Sequence, residues 1–191
     1  AIDSLLGRIK IIEAVLAGES LQRVLALPTP GGGAISFLFP AIPIQQVKII
    51  SNLEYFYIFW LNEEADLNAR LGEVRQFLEY AAMRDKTVDW IIPWAAGQPG
   101  VLDVWLSDFW TPTNKPQGEK LSGPYTIQGK NAINLLIERM NAEPILNQIY
   151  GVQIKEFQKE YEIQRGMMWR QFLLGFDIGR NLLLTSSAWR E

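Results

Sequence analysis

Residues 87–110, TVDWIIPWAAGQPGVLDVWLSDFW, carry four of the chain's seven tryptophans in two apolar runs joined by Ala95-Ala96-Gly97-Gln98-Pro99-Gly100. A stretch this apolar must be buried on at least one side, and two short runs around a connector bearing glycine and proline predict a β-hairpin. Alternation with period two puts Val88, Trp90, Ile92 and Trp94 on one face, together with Leu102, Val104 and Leu106, and turns Asp89 and Asp103 the other way. The second face is not simply polar. Trp105 and Phe109 interleave there with Asp103 and Ser107, and a surface so rich in aromatic rings predicts a partner.

The segments before this stretch extend the β reading. Residues 34–39, 44–50 and 53–61 are dense in branched and aromatic side chains, with Pro40 and Pro43 placing the first of them at an edge or bend. In LEYFYIFWL (53–61) one face shows Tyr55 and Tyr57 with Leu53, Phe59 and Leu61, and the other shows Phe56, Ile58 and Trp60 with Glu54. A strand apolar on both faces is either central in a packed sheet or covered by another chain. One or two helical turns are expected at 143–150 after Pro144. Residues 152–163 start as an alternating strand whose phase changes at Phe157, and 167–189 read as two strands around a turn, with helix over part of that stretch as the alternative. Helices are expected at 4–26, 63–84 and 130–141. The first carries Leu5, Leu6, Ile9, Ile12, Val15 and Leu16, with Gly18-Glu19-Ser20 as a point of interruption. The second carries Leu67, Leu71, Val74, Phe77, Leu78 and Ala81 behind Asn62 as cap, and the third Ile133, Leu136, Ile137 and Met140. The expected fold is therefore α+β: a mainly antiparallel β-sandwich or barrel with flanking helices. An N-terminal helical arm spans 1–27, lying on the core or docking on a neighbour, and a single mainly-β domain with two helices spans 34–191. An α/β layer with parallel strands at 44–50, 53–61 and 88–94 is the second architecture.

What the chain lacks narrows its chemistry. Without cysteine or histidine it has no disulfide, no thiolate or imidazole metal ligand, and no Ser-His-Asp or Cys-His machinery. A formal charge of −3 and a pI near 5.2 argue against phosphate-backbone binding, which draws on clustered Lys and Arg. No apolar run approaches the roughly 20 residues a bilayer span requires. Arg8, Lys10 and Glu13 stand where a secretory signal would be apolar, so no such signal is expected.

Three motifs invite a functional reading and none meets its own requirements. Pro28-Thr29-Pro30-Gly31-Gly32-Gly33 leads into a strand pattern rather than into Lys and Ser or Thr opening a helix. In GPYTIQGKN five residues, not four, separate Gly123 from Gly129, and Asn131 occupies the position where a hydroxyl would hold magnesium. The acidic Glu63, Glu64 and Asp66 are what the dipole at a helix start favours in any case. No catalytic residue, metal ligand or cofactor is assigned. Asp89, Asp103 and Asp108 beside the tryptophans leave one enzymatic alternative, a carboxylate-dependent glycoside hydrolase, or a carbohydrate-binding module with a tryptophan platform.

With its acidic cysteine-free composition, a strand-rich body, a helix at 129–140 between strand groups and a long loop at 111–124, the chain resembles virion structural proteins of tailed bacteriophages. The tail tube, neck and baseplate-hub types are the nearest in style, and capsid or decoration proteins share the same traits. The resemblance covers 34–191 and implies a ring-forming assembly role in a virion put together in the host cytoplasm, transferring no functional residue. The partners expected are copies of the chain itself and other assembly subunits, with neither membrane nor nucleic acid. Trp105, Phe109, Tyr55 and Tyr57 are the expected interface residues, because aromatic side chains supply interface anchors.

Overall fold

The computed structural model describes residues 2–20, 23, 64–84, 86–110 and 119–176. Helix makes up 79% of them, which overturns the expected β-sandwich or barrel. The strands among the described residues are Val104–Trp105 (β1) and Lys120–Leu121 (β2), one antiparallel pair in the register Val104 to Leu121 and Trp105 to Lys120. The helices, in order, are α1 (Ile2–Leu16), α2 (Glu64–Arg84), α3 (Ile91–Ala96), α4 (Ser107–Trp110), α5 (Ile127–Ala142) and α6 (Pro144–Leu174), with a 3-10 turn at Gly123–Tyr125. They form two compact units, Ala1–Lys86 with Arg139–Ile149, and Thr87–Glu138 with Tyr150–Glu191. The expected strands at 34–39, 44–50 and 53–61, the glycine loop 28–33, Asn62, Glu63, Tyr55 and Tyr57 lie outside the described residues.

In the first unit α1 packs on α2. Ile2, Leu6, Ile9 and Ile12 recur at helical spacing and are buried, as are Leu67, Leu71, Val74, Leu78 and Ala82 of α2. Full burial of such a side chain contributes roughly 1.5–3 kcal/mol, so this seam outweighs any helix propensity. α2 occupies the helix expected at 63–84. The helix expected over 4–26 stops early: Gly18 takes φ 74°, its N–H reaches Val15 O at 2.9 Å, and Glu19 N reaches Ala14 O at 3.0 Å. That pair of bonds is a Schellman end, which a β-carbon at Gly18 would strain. Arg139 of α5 closes the unit on α1, its Nη1 donating to Asp3 Oδ1 at 2.7 Å and Nη2 to the Asp3 carbonyl at 3.1 Å.

In the second unit the predicted hairpin is replaced by α3, a loop, β1 and α4. Pro93 is the physical reason. A proline in a paired strand removes a ladder donor, whereas in the first turn of a helix its missing N–H has no helical acceptor to lose. The buried set is then Val88, Ile91 and Ala95, a helical period, in place of the alternating Val88, Trp90, Ile92 and Trp94. The parallel alternative fails with it, since 88–94 is no strand.

The segments expected as strands at 152–163 and from 167 onward also correct to helix, because α6 runs unbroken from Pro144 to Leu174. Pro144 opens it at the position where a proline costs nothing. Within the second unit its buried residues are Tyr150, Ile154, Tyr161 and Phe172, all on one side at 3.6 residues per turn. Val152 and Ile154, paired by strand parity, part company: the first is exposed and the second buried. Residues 177–189 lie outside the described set. Leu106, Leu121 and Phe172 form the unit's aromatic-lined core, with Val104, Tyr125, Met168, Trp169 and Phe176 packed around it.

Candidate functional site

Two of the four expected interface residues fall in this second unit, on neighbouring elements rather than on one strand face. Trp105 lies in β1 and Phe109 in α4. Main-chain turning at Leu106 brings this about: Leu106 N donates to Glu119 O at 2.9 Å and ends the ladder, and Phe109 N returns to Leu106 O at 3.2 Å. Asp108 fastens the turn, its carboxylate accepting the Trp105 N–H at 2.8 Å.

The two rings have different surroundings. Trp105 is half-buried, and the Lys120 ammonium lies 5.4 Å from its ring centroid, so one ring face is taken by a cation from the paired strand. Lys120 is itself held by Asp103 at 2.8 Å. Phe109 is 54% exposed yet fixed from behind, 5.2 Å from Phe176 and 6.3 Å from Phe172 between ring centroids, in tilted and edge-on contacts. Phe172 in turn meets Trp169 edge-on at 6.3 Å and Phe176 at 5.6 Å. A large apolar ring that is open on one side and clamped on the other loses little conformational freedom when something covers it, which is the condition of an interface anchor.

Behind this surface the 3-10 turn is held by three residues of α6 spaced four apart. Tyr161 donates its hydroxyl to Pro124 O at 2.7 Å, and Arg165 Nε and Trp169 Nε1 donate to Tyr125 O at 3.2 and 2.9 Å. Tyr125 also stacks on Tyr161, with centroids 5.8 Å apart, and Tyr161 on Phe157 at 5.9 Å. These contacts escaped the sequence reading, although the spacing 161, 165, 169 was visible in it.

Of the remaining sequence candidates, Asp103, Asp108 and Lys130 are occupied structurally. Asp103 accepts Lys120 Nζ and Gly123 N, both at 2.8 Å, and those two donors hold its carboxyl below the usual carboxylate range. Asp108 is engaged by Trp105 N as described, while Asp89 lies exposed in the turn before α3. The Gly123 to Lys130 segment forms no cradle. Gly129 is already helical and packed on the turn, and Lys130 Nζ pairs with Glu162 at 2.6 Å. Asp66 is exposed on α2, and among the described residues no group of three or more carboxylates is placed to hold a metal ion. No described helix is long and apolar enough to cross a membrane.

In the first unit an open groove of about 490 Å³ is lined by Gly72, Arg75, Gln76, Glu79, Pro144 and Ile145 beside Glu143. Arg75 is held there between two carboxylates, 2.7 Å from Glu13 and 3.4 Å from Glu143. Comparison of the chain with protein-family models, with curated proteins and with solved structures finds no match.

Proposed function

We propose that this protein is a structural subunit of a larger protein assembly and acts through protein–protein interfaces rather than through chemistry at a site. The observation that carries the reading is Phe109, an exposed ring seated on the Phe172 and Phe176 rings. Three further facts fit it. Trp105, the ring a sugar platform would need open, has a lysine over one face. Two of the three carboxylates a glycosidase would draw on are held by structural donors. The charge balance gives nucleic acid no purchase. The setting implied by the resemblance, a tail, neck or baseplate ring of a tailed-phage virion, now draws on composition alone. The strand-rich body it also invoked is helical where described, and of the long loop expected at 111–124, residues 111–118 lie outside the described residues while 120–121 and 123–125 form β2 and the 3-10 turn.

The test compares wild type with Phe109→Ala in sedimentation and in thermal melts on the same samples. Truncating an interface anchor commonly costs about 2 kcal/mol or more of association. The expected result is weakened association with copies of the chain and little movement of the unfolding midpoint. A variant that loses fold stability alone makes Phe109 a core residue and removes the support for this reading.

A further inference from the structure

α6 has a second side. Its inward residues in the second unit are Ile154, Tyr161 and Phe172, and the opposite side presents Val152, Glu156, Lys159, Ile163, Met167, Arg170 and Leu174, all exposed. The four apolar members are 69%, 64%, 58% and 65% exposed in chain order. Val152, Ile163 and Leu174 recur every 11 residues, three turns at about 3.67 residues per turn, so they stay in line along roughly 33 Å of nearly straight helix. A helix face meant for water is ordinarily filled with polar helix formers, and Val and Ile serve neither solubility nor helix propensity there.

The order of this stripe is self-complementary. Its spacings of 4, 3, 4, 4, 3 and 4 residues read the same in both directions about Ile163. Two copies laid antiparallel therefore oppose Val152 to Leu174, Glu156 to Arg170, Lys159 to Met167, and Ile163 to itself. Glu156 meets the opposite charge, and the Lys159 stem covers the Met167 side chain. Neither Glu156 nor Arg170 has an ion-pair or hydrogen-bond partner among the described residues. Parallel pairing in register would set Glu156 on Glu156 and Arg170 on Arg170, so the charge order selects the antiparallel arrangement. Beside Ile163, Gly166 has open space where a β-carbon would be, which permits close approach of the backbones.

We infer that the outward face of α6 is the docking surface for a second copy of this chain, paired antiparallel about a two-fold axis at Ile163. Such an interface is isologous, each contact occurring twice across the axis. A single helix pair sits at the small end of stable interfaces, so the affinity expected is micromolar. The surface lies on the other side of α6 from the Phe109 contacts and does not depend on them.

The experiment is sedimentation equilibrium of the full chain across the micromolar range, with circular dichroism confirming that each variant is folded. With the other surface removed by Phe109→Ala, the chain forms a dimer, and adding Ile163→Asp makes it monomeric. Glu156→Arg and Arg170→Glu each weaken the dimer roughly tenfold or more by opposing like charges, and the double reversal restores it. Because the chain has no cysteine, Ile163→Cys gives a disulfide-linked dimer on mild oxidation, while Val152→Cys does not. A wild type that stays monomeric overturns the inference. So does a double reversal weaker than either single change, or a dimer that Phe109→Ala removes and Ile163→Asp leaves standing. Conversely, a dimer lost in Ile163→Asp and unaffected by Phe109→Ala upholds the α6 pairing while failing the Phe109 interface.

Discussion

The phenol of Tyr161 donates a 2.7 Å hydrogen bond to the carbonyl of Pro124, and burial pushes that phenol up to about 12 from its ordinary value of 10.0. Between those two values the unfolded chain releases the proton while the folded one retains it, so the unfolded state binds fewer protons and stability falls as pH rises. Thermal melts should show a midpoint steady below pH 10 on this account and dropping toward pH 12, a loss on the order of 2 kcal/mol. Tyr161→Phe should flatten that drop and cost about 1 kcal/mol at neutral pH for the hydrogen bond. Equal alkaline losses in both proteins would assign the effect elsewhere.

Gly129 should tolerate no side chain. A β-carbon there would collide with the Gly123 carbonyl oxygen and with the Pro124 backbone, main-chain atoms that cannot swing aside. Thr126 adds to the constraint, since its hydroxyl donates to Gly123 O at 2.7 Å and accepts Gly129 N at 3.2 Å. Gly129→Ala would otherwise gain helix propensity of about 1 kcal/mol, so the sign of its effect is diagnostic. The expected result is a loss of about 1–3 kcal/mol in denaturant unfolding, as overpacking costs. A stabilised variant would mean that the turn yields.

What could be read in advance, and what could not, follows from how many faces each segment buries. α2 and α5 were legible because their buried apolar residues fall on one stripe, Leu67, Leu71, Val74 and Leu78 in the first and Ile133, Leu136, Ile137 and Met140 in the second, whereas Phe77, expected on the α2 stripe, lies off it and is exposed. α6 was misread because it is apolar on two sides: with Ile154, Tyr161 and Phe172 inward and Val152, Ile163 and Met167 outward, both parities look occupied and a strand with a bulge fits as well. α3 was misread through Trp90, Ile92 and Trp94, whose parity concealed the meaning of Pro93. Phe109 was identifiable as an aromatic residue with no obvious burial. The difference between it and Trp105 was not, because it depends on Lys120, fifteen residues further along the chain and brought close by strand pairing.

Arg139 should be irreplaceable by lysine. Its guanidinium engages Asp3 twice, at the carboxylate and at the main-chain carbonyl, and both side chains are partly buried at 18% and 30% exposure. A lysine ammonium cannot present two donors in that fixed fork. Arg139→Lys and Arg139→Ala should each lower stability by about 1.5–3 kcal/mol, the range for hydrogen bonds to a charged group. Full retention of stability in the lysine variant would show that a single point charge is enough to hold α5 to α1.

Trp105 should act on folding where Phe109 acts on association. Its main chain pairs with Lys120 across β1 and β2 and gives its N–H to Asp108, and its half-buried ring lies under the Lys120 ammonium. Trp105→Ala therefore removes packing and the cation–π contact together, while Trp105→Phe keeps an aromatic face of smaller area and should recover part of the loss. A double-mutant cycle with Lys120→Met isolates the ring's share, expected at about 0.5–1 kcal/mol because the site is partly open to solvent. The Asp103 pair with Lys120 is present with either residue at 105, so it cancels in the cycle. Measured on the same samples, self-association should be unchanged in Trp105→Ala and weakened in Phe109→Ala. If Trp105→Ala instead disperses the assembly at undiminished stability, the lysine over its ring is no obstacle to a partner, and the anchor has been placed four residues too far along the chain.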